Sequence, residues 1–383
     1  MAERLRQRVA AHLPAVDGIA LALALAFAAM LVSRAAGLWS GAAGRASVSP
    51  VLCAIILGLV WRNTVGVGPR WLPGLEWVTS RLLRVGIALV GLRLTLGGAG
   101  SVAVVALPAV IACVLTALAL SMALGRFLGL SRPLRILLAA GTAICGCTAV
   151  VAVAPVVRAR PAETAIALTC VVLLGALGML VYPWVGQSLF AASPQSAGIF
   201  LGTSIHDTSQ VVGASLIYAQ QFGAPDVVPV AGFTKLLRNL TLLLMIPLAA
   251  SWSADSARAS DSIDRNPASA SPGPRGALLW LGHLKKAMPG FLIAFVLLAV
   301  LRNVGDHALQ GAAVQAAWQR ILSATSTASE LFLVCGMTAV GLGVVFRDLR
   351  QVGWRALVTG FAVAAAVAAC SLSMIFGVRH LVG

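Results

Sequence analysis

Residues 141–157 read GTAICGCTAVVAVAPVV, an apolar run that small and hydroxyl side chains interrupt near its centre. The hexapeptide that starts at Cys145, CGCTAV, recurs as CGMTAV at Cys335. Each copy falls in the fourth of five successive apolar segments, so the similarity predicts a five-helix repeat. Because five is odd, the second copy is inverted, and inverted repeats with broken helices near the midplane are a recurring transporter plan.

A second internal similarity relates GTAI at Gly141 to GTSI at Gly202. It predicts two re-entrant hairpins, over 133–157 and 194–218, that enter the membrane from opposite sides. The five-helix repeat is the preferred interpretation and the hairpins are the alternative. Both interpretations place Cys145–Thr148 near the membrane centre, in broken helix.

The composition indicates a polytopic α-helical membrane protein. Hydrophobic residues make up 59% of the chain and charged residues only 10%, whereas soluble proteins carry about 25% charged residues. These values argue against a soluble enzyme, a disordered chain and a nucleic-acid-binding protein. The low aromatic content of 6% and the lack of alternating strand patterns argue against an outer-membrane barrel.

About eleven apolar segments are each close to the roughly 20 residues that a membrane-spanning helix needs. They lie at 18–36, 50–63, 80–96, 102–124, 133–157, 162–186, 195–218, 228–250, 287–303, 324–346 and 355–379. Residues 251–286, rich in Ser, Ala, Asp and Pro, are predicted to form a flexible cytoplasmic linker. The linker divides a membrane domain into 18–250 and 287–383, behind a cytoplasmic N-terminus at 1–17.

Basic residues predict the orientation. Arg and Lys cluster in the N-terminus and in the loops at 62–84 (which ends with Arg84), 125–135, 251–286 and 347–355, as they do on the cytoplasmic side of inner-membrane proteins. We therefore expect a multi-pass protein of the bacterial inner membrane with a cytoplasmic N-terminus. This also explains the net charge of +16 without a nucleic-acid partner. Arg158 and Arg160 are exceptions, because eleven crossings place them outside, whereas the hairpin alternative places them inside.

The densest polar cluster within an apolar segment is GTSIHDTSQ, which starts at Gly202. Ionisable groups at membrane depth are costly unless they are paired or hydrated, so they are functional candidates. A Gly and several hydroxyl residues beside His206 and Asp207 favour a broken helix whose freed backbone groups face a ligand. The alternative is the end of a short helix that holds this pair at the lipid headgroups.

Three polar residues in FTKLLRNLTLLL have the spacing of one helical face: Lys235, Arg238 and Asn239. A buried cationic patch at this position would pair with Asp207 or meet an anionic substrate. The alternative is that Lys235 and Arg238 snorkel to the membrane interface.

The interrupted run at 141–148 is the third cluster. It carries no charge, but backbone N–H groups at a broken helix N-terminus can bind an anion. Close helix packing by small residues is the alternative. The candidate substrate- or ion-binding residues of the three clusters are Thr142, Cys145, Gly146, Thr148, Thr203, Ser204, His206, Asp207, Thr208, Gln210, Lys235, Arg238 and Asn239. The sequence contains no nucleotide-hydrolysis, metalloprotease, serine-hydrolase or haem motif, so we expect no enzyme activity, cofactor or metal site.

Three motifs in the same order carry a family resemblance: GTAICGCTAVVAVAPVV at Gly141, GTSIHDTSQVVGAS at Gly202 and FTKLLRNLTLLLMIPLA at Phe233. Here the sequence resembles the YeiH-like family of bacterial inner-membrane proteins, which is also named for sulfate export. The family looks related to the cation:proton antiporter and anion transporter superfamily. The resemblance implies five-plus-five inverted repeats, a core with crossed discontinuous helices, and a second domain that often dimerises. Many members of the family have Asn-Ser where this chain has Cys147 and Thr148, so a thiol replaces an amide here.

The clusters and the resemblance together predict a secondary active transporter of a small anion, sulfate or an organic sulfonate, that acts as an exporter. Lys235 and Arg238 would supply positive charge, and Asp207 with His206 would couple transport to protons or another ion. A cation:proton antiporter or channel in which Asp207 binds the ion is the alternative. The expected partners are the anion and the lipid bilayer, and the superfamily resemblance implies a homodimer.

Overall fold

The computed structural model describes residues 2–39, 48–94, 96–242, 244–245, 248–249, 290–308, 311–348 and 352–382. Regular structure within these ranges is entirely helical, which confirms the predicted all-α class. Five helices of the described chain are long and apolar enough to cross a membrane: Val16–Trp39, Val102–Phe127, Pro161–Phe190, Ala313–Gly343 and Trp354–His380. The predicted linker at 251–286 lies outside the described residues.

The described α-helices are numbered in chain order. They are α1 (Ala2–Trp39), α2 (Pro50–Thr64), α3 (Leu72–Trp77), α4 (Leu83–Val90), α5 (Leu96–Phe127), α6 (Arg132–Ala143), α7 (Cys147–Val153), α8 (Pro161–Phe190), α9 (Pro194–Ser204), α10 (Thr208–Phe222), α11 (Val227–Leu240), α12 (Gly290–Ala308), α13 (Ala312–Gly343) and α14 (Trp354–Val382). Helix α1 begins well before the segment predicted at 18–36, so the basic N-terminus continues into the first apolar helix.

One helical stretch runs through α3, a π-helical turn and α4, where the sequence predicts a segment only at 80–96. Pro73 stands in the first turn of α3, where a backbone N–H is not needed for the helix ladder. The start of this stretch at Leu72 was not predicted because polar residues such as Arg81 interrupt the apolar pattern. Arg84, which the charge pattern assigns to a loop, therefore lies inside a helix.

The helices form two bundles. The panel bundle contains α1–α4, α12 and α13, and the core bundle contains α5–α11 and α14. In the panel bundle α13 lies along α2 and α4, and the backbones come close because Gly58 and Gly341 have no side chains at the crossing. In the core bundle α14 lies along α5, and α11 lies along α9. The bundles meet where α10 touches α2 and α4.

The segment predicted at 133–157 folds back on itself. Helix α6 ends before a break at Ile144–Gly146, and the chain then reverses into α7. Gly141 of α6 faces Val150 of α7 so closely that a Cβ at Gly141 would lie 2.8 Å from Val150 Cγ2. We call α6 and α7 the first hairpin, and Ile144–Gly146 the first tip.

The base of the first hairpin is closed by hydrogen bonds. The Ser131 hydroxyl, just before α6, donates to Glu163 in the first turn of α8 at 2.5 Å. The same carboxylate accepts from the backbone N–H of Arg160 at 2.8 Å. The hairpin therefore begins and ends at the N-terminal end of α8.

The segment predicted at 194–218 also folds back, from the other end of α8. Helix α9 ends before a break at Ile205–Asp207, and α10 returns. Phe200 of α9 and Tyr218 of α10 both lie beside Gly186, near the C-terminal end of α8. We call α9 and α10 the second hairpin, and Ile205–Asp207 the second tip.

The two hairpins thus start from opposite ends of α8 and fold back toward its middle. This arrangement agrees with the hairpin alternative, whereas entry from opposite sides of a membrane stays a prediction. The preferred interpretation, in which both segments run through the bundle, is not favoured by these contacts. The physical reason lies in the breaks: Gly146 has φ +66° and ψ −125°, a backbone conformation that turns the chain back and suits glycine.

Glu163 is expected to hold the base of the first hairpin. Glu163→Ala removes the acceptor of three hydrogen bonds from a buried site, so it should destabilise the protein by about 1–3 kcal/mol. The check is the thermal unfolding midpoint of purified protein in detergent. Glu76→Ala, which removes an exposed carboxylate from α3, is the matched control. Equal midpoints for the two variants would contradict this role of Glu163.

Candidate functional site

The tips of the two hairpins meet opposite the middle of α8. Gln210 marks this level, because its Nε2 donates to Val172 O of α8 at 2.9 Å. A Cβ at Gly146 of the first tip would lie 3.0 Å from the Cβ of Asp207 in the second tip. Asp207 also caps α10, since its Oδ1 accepts from Ser209 N at 2.9 Å and from Ser209 Oγ at 2.6 Å.

Lys235 of α11 donates hydrogen bonds to backbone carbonyls in both tips. Its Nζ donates to Ile144 O at 2.8 Å, to Ile205 O at 2.9 Å and to His206 O at 2.5 Å. An ammonium group has three N–H donors, so all of them are used. The last carbonyls of a helix carry partial negative charge, which this cation offsets.

Arg238 extends the same pattern one helical turn further along α11. It donates to Ala143 O at 2.6 Å, to Thr203 O at 2.5 Å, to Ile205 O at 3.0 Å and to Thr142 O. Arg238 therefore joins the C-terminal end of α6 to that of α9. The two cations together hold the tips in contact.

Both cations of α11 are completely buried, so the snorkelling interpretation of Lys235 and Arg238 is wrong. The helix faces the hairpin tips rather than the membrane interface at these positions. Among the described residues neither cation forms an ion pair with Asp207. Their direct contact with a substrate stays a prediction, and in this geometry they add positive charge behind the tips.

A cavity of about 510 Å³ lies between the two bundles, beside the tips. The core bundle contributes the tips and α11, and the panel bundle contributes the π-helical turn, α4 and α12. Most of its lining side chains are Leu, Ile, Val and Phe. The polar lining residues are Thr79, Arg84, Cys145, Thr148, Asp207, Thr208, Ser209 and Asn239.

Only part of the predicted site lines this cavity, namely Cys145, Thr148, Asp207, Thr208 and Asn239. Asn239 Nδ2 donates to Thr208 Oγ1 at 3.3 Å, which links α11 to the start of α10. The other predicted residues are buried and do not line the cavity: Thr142, Gly146, Thr203, Ser204, His206, Gln210, Lys235 and Arg238.

The buried predicted residues differ in their partners. Thr203 Oγ1 lies 2.6 Å from Ser371 Oγ, so a hydrogen bond joins the second hairpin to α14. The Ser204 hydroxyl and both ring nitrogens of His206 have no hydrogen-bond partner among the described residues. His206 therefore makes no side-chain hydrogen bond to Asp207. The described chain also contains no cluster of three or more His, Cys, Asp or Glu residues that could hold a metal ion.

Sequence reasoning missed the contribution of the panel bundle. Arg84 was assigned to a loop, and Thr79 was not considered. Ser209 stood inside the GTSIHDTSQ motif, where its position two residues after Asp207 is the signal of a helix cap. No motif marks the apolar wall, since it is formed by packing between segments that are distant in sequence.

The comparisons with known proteins agree with the membrane-protein assignment. The chain matches a family model described as conserved hypothetical protein 698 over residues 17–360. The UPF0324 membrane protein RSc1111 of Ralstonia nicotianae is 33% identical over 89% of this chain and 88% of its own length. UPF0324 membrane proteins of Pseudomonas putida and Bacillus cereus are 28% and 29% identical, over 88% and 81% of this chain and 87% and 81% of their own lengths. No solved structure matches the chain.

The family model covers most of the chain, and the Ralstonia relative is similar over most of both chains. The chain therefore belongs to the UPF0324 family of membrane proteins, the YeiH-like family that its three motifs indicate.

Proposed function

We propose that the protein is a secondary active transporter whose substrate site lies at the meeting point of the two hairpins. The observation that carries the proposal is the tip-to-tip contact of Gly146 and Asp207 beside a cavity between two bundles. Broken helices that meet from opposite sides, with polar groups at the breaks, are a recurring way to build a transport site. Relative movement of the bundles would open this site to each side of the membrane in turn.

The proposed membrane topology follows from the hairpins. The first hairpin re-enters from the cytoplasm and the second from outside, so Arg158 and Arg160 lie in the cytoplasm with the other basic loops. The N-terminus is cytoplasmic and the membrane is the bacterial inner membrane. In this proposal the inverted repeat relates the two hairpins to each other, and the five-helix repeat is given up. Homodimerisation and membership of the wider antiporter superfamily stay predictions from the resemblance.

A small anion is the proposed substrate because positive charge exceeds negative charge at the tips. Lys235 and Arg238 provide two buried cations against the single carboxylate of Asp207, although the helix-end carbonyls offset part of this charge. The hydroxyls of Thr148 and Thr208 line the cavity as hydrogen-bond donors. Sulfate or an organic sulfonate as the anion, and export as the direction, rest on the family resemblance.

Asp207 is the proposed coupling group. It is the carboxylate that lines the cavity in the described part of the chain, and it sits where the two tips touch. The same position favours a second candidate function, a cation:proton antiporter in which Asp207 binds the ion. Neither candidate function includes enzyme activity.

Asp207→Asn is expected to reduce the transport current by more than about tenfold, because an amide cannot exchange the coupling proton. The measurement uses purified protein in proteoliposomes on a solid-supported membrane, with concentration jumps of sulfate, a taurine-like sulfonate, Na⁺ and H⁺. Asp226→Asn makes the same chemical change at an exposed position just before α11 and should leave the current unchanged.

The response to each jump separates the candidate functions. A current on an anion jump that Asp207→Asn abolishes supports coupled anion transport. A response to Na⁺ or pH alone supports the antiporter. Because electroneutral exchange carries no current, a tracer-flux measurement accompanies each jump, and the lack of flux for all four ions contradicts both candidates.

A further inference from the structure

The cavity beside the tips has a polar end and an apolar body. At the tips, Asp207 and the Thr208–Asn239 pair supply the polar groups. Away from the tips the walls are hydrocarbon, with Ile87 on α4, Leu237 on α11 and Phe295 on α12. A volume of about 510 Å³ falls in the size range of about 300–1,000 Å³ that is typical of sites for organic ligands.

Arg84 is the cation that faces this cavity in the described part of the chain. Its guanidinium lies over the ring of Phe291, 5.8 Å from the ring centroid. No hydrogen bond or ion pair within the described residues uses its N–H groups. Arg93, further along the same stretch, differs because Ser326 and Glu330 accept its hydrogen bonds at 2.6 Å and 2.9 Å.

Arg84 also differs from a residue at a helix end in its position along the chain. Residues 72–93 are helical without interruption, and Arg84 lies in the second half of that stretch rather than at its end. Arg84 also falls in the segment that the sequence predicts to cross the membrane, 80–96, where an unpaired guanidinium is costly unless water or an anion meets it. Planar guanidinium groups match sulfonate, carboxylate and phosphate oxygens in geometry as well as in charge.

A bare inorganic dianion fits this cavity poorly. Lys235 and Arg238 have their donors on backbone carbonyls, and most of the wall offers no hydrogen bond. Sulfate would lose its hydration over the apolar wall without replacement. An organic anion would bury its hydrocarbon part there and keep its charged group at a cationic side chain.

We propose that the substrate is an organic anion with an apolar body, whose charged group pairs with Arg84 while its body lies between α4, α11 and α12. This inference rests on the proposed transporter function and narrows its substrate class. It makes Arg84 a substrate-binding residue, and it assigns the panel bundle a direct part in recognition.

The test measures equilibrium binding by titration calorimetry of the purified full chain in nanodiscs. The probes are methanesulfonate, propanesulfonate, hexanesulfonate, sodium sulfate and hexyltrimethylammonium. Affinity for the sulfonates should rise by about tenfold for every two added methylenes while the chain fits the cavity. Sulfate and the organic cation should bind more weakly than hexanesulfonate.

Substitutions at Arg84 test whether this residue binds the charged group of the ligand. Arg84→Gln should weaken hexanesulfonate binding by about tenfold or more, and Arg84→Lys should retain part of it. Arg81→Gln, one turn earlier and outside the cavity lining, is the matched control and should bind normally. Because Arg84 is exposed in the protein itself, its replacement should leave elution in size-exclusion chromatography unchanged.

The outcomes test the proposed substrate class and the proposed transport function separately. Sulfate binding as tight as hexanesulfonate binding, tighter binding of the organic cation, or equal affinities of Arg84→Gln and Arg81→Gln would each overturn the substrate class. Tracer flux of sulfate in proteoliposomes would then still support the transporter. Arg84-dependent binding of hexanesulfonate without flux of any probe would instead support the recognition site and overturn the transport function.

Discussion

Lys235→Met and Arg238→Met are each expected to prevent folding, rather than to yield folded protein that has only lost its ligand. Both methionine side chains are long enough to occupy much of the same space but donate no hydrogen bond. The carbonyls of Ile144 and His206 would lose their Lys235 donor, and that of Ala143 would lose its Arg238 donor. These carbonyls belong to buried residues where the two hairpins meet.

The magnitude explains why folding should fail. A buried acceptor left without a donor costs about 1–3 kcal/mol, and Lys235 serves three carbonyls. The sum approaches the total stability of a typical domain, which is about 5–15 kcal/mol. In addition, the partial negative charges at the C-terminal ends of α6 and α9 would be offset by one cation instead of two.

The measurement is the monodisperse fraction and the thermal midpoint of the detergent-solubilised protein. Arg81→Met, which removes an exposed cation from the π-helical turn, is the control and should behave like the unchanged protein. If Lys235→Met protein is monodisperse with an unchanged midpoint and fails only to bind substrate, the structural role of Lys235 is wrong. Direct anion binding by this lysine would then be the better interpretation.

The sequence predicted the cationic face of α11 but not what it contacts. The spacing of Lys235, Arg238 and Asn239 places them on one face of a helix, and the structure has that helix. The partners of Lys235 and Arg238 are backbone carbonyls, which every residue has, so no side-chain pattern announces them. Sequence reasoning therefore looked for a charged partner and chose Asp207, which instead caps α10.

The hairpins were predictable in part. The similarity of GTAI to GTSI indicated the two segments that fold back in the structure, and Arg158 and Arg160 favoured the same alternative through the charge pattern. The stronger match between Cys145 and Cys335 favoured the other interpretation. In the structure Cys335 lies in the unbroken helix α13, so similar local sequence there does not produce a break. The difference is the φ of +66° at Gly146, which lies against Asp207 of the second tip.

The cavity was the least predictable feature. Its polar end comes from motifs that the sequence displays, but its apolar walls are indistinguishable from ordinary membrane-helix residues before packing is known. Arg84 was hidden for a related reason. Polar residues at 79–81 resemble a loop, and only the continuous helical backbone through the π-helical turn places Arg84 in the cavity lining.

Gly146→Ala is expected to disrupt the tip-to-tip contact and to abolish transport. At φ +66° and ψ −125° a residue with a side chain is strained, which costs about 1–3 kcal/mol. The added Cβ would also lie 3.0 Å from both the Cβ and the Oδ2 of Asp207, closer than ordinary van der Waals contact. Because Lys235 and Arg238 hold the backbone on both sides, the tips cannot separate without loss of hydrogen bonds.

Gly223→Ala is the control that separates the loss of the tip-to-tip contact from the strain of a side chain at positive φ. Gly223 follows α10 with a similar φ of +69°, but a Cβ there would meet no atom within 4 Å. That variant should lose about 1–2 kcal/mol of stability through the left-handed conformation and keep its transport current. Thermal midpoints and currents of both variants in the same proteoliposomes provide the comparison. A Gly146→Ala protein with the current of Gly223→Ala would mean that transport tolerates separated tips, and the site would have to lie elsewhere in the cavity.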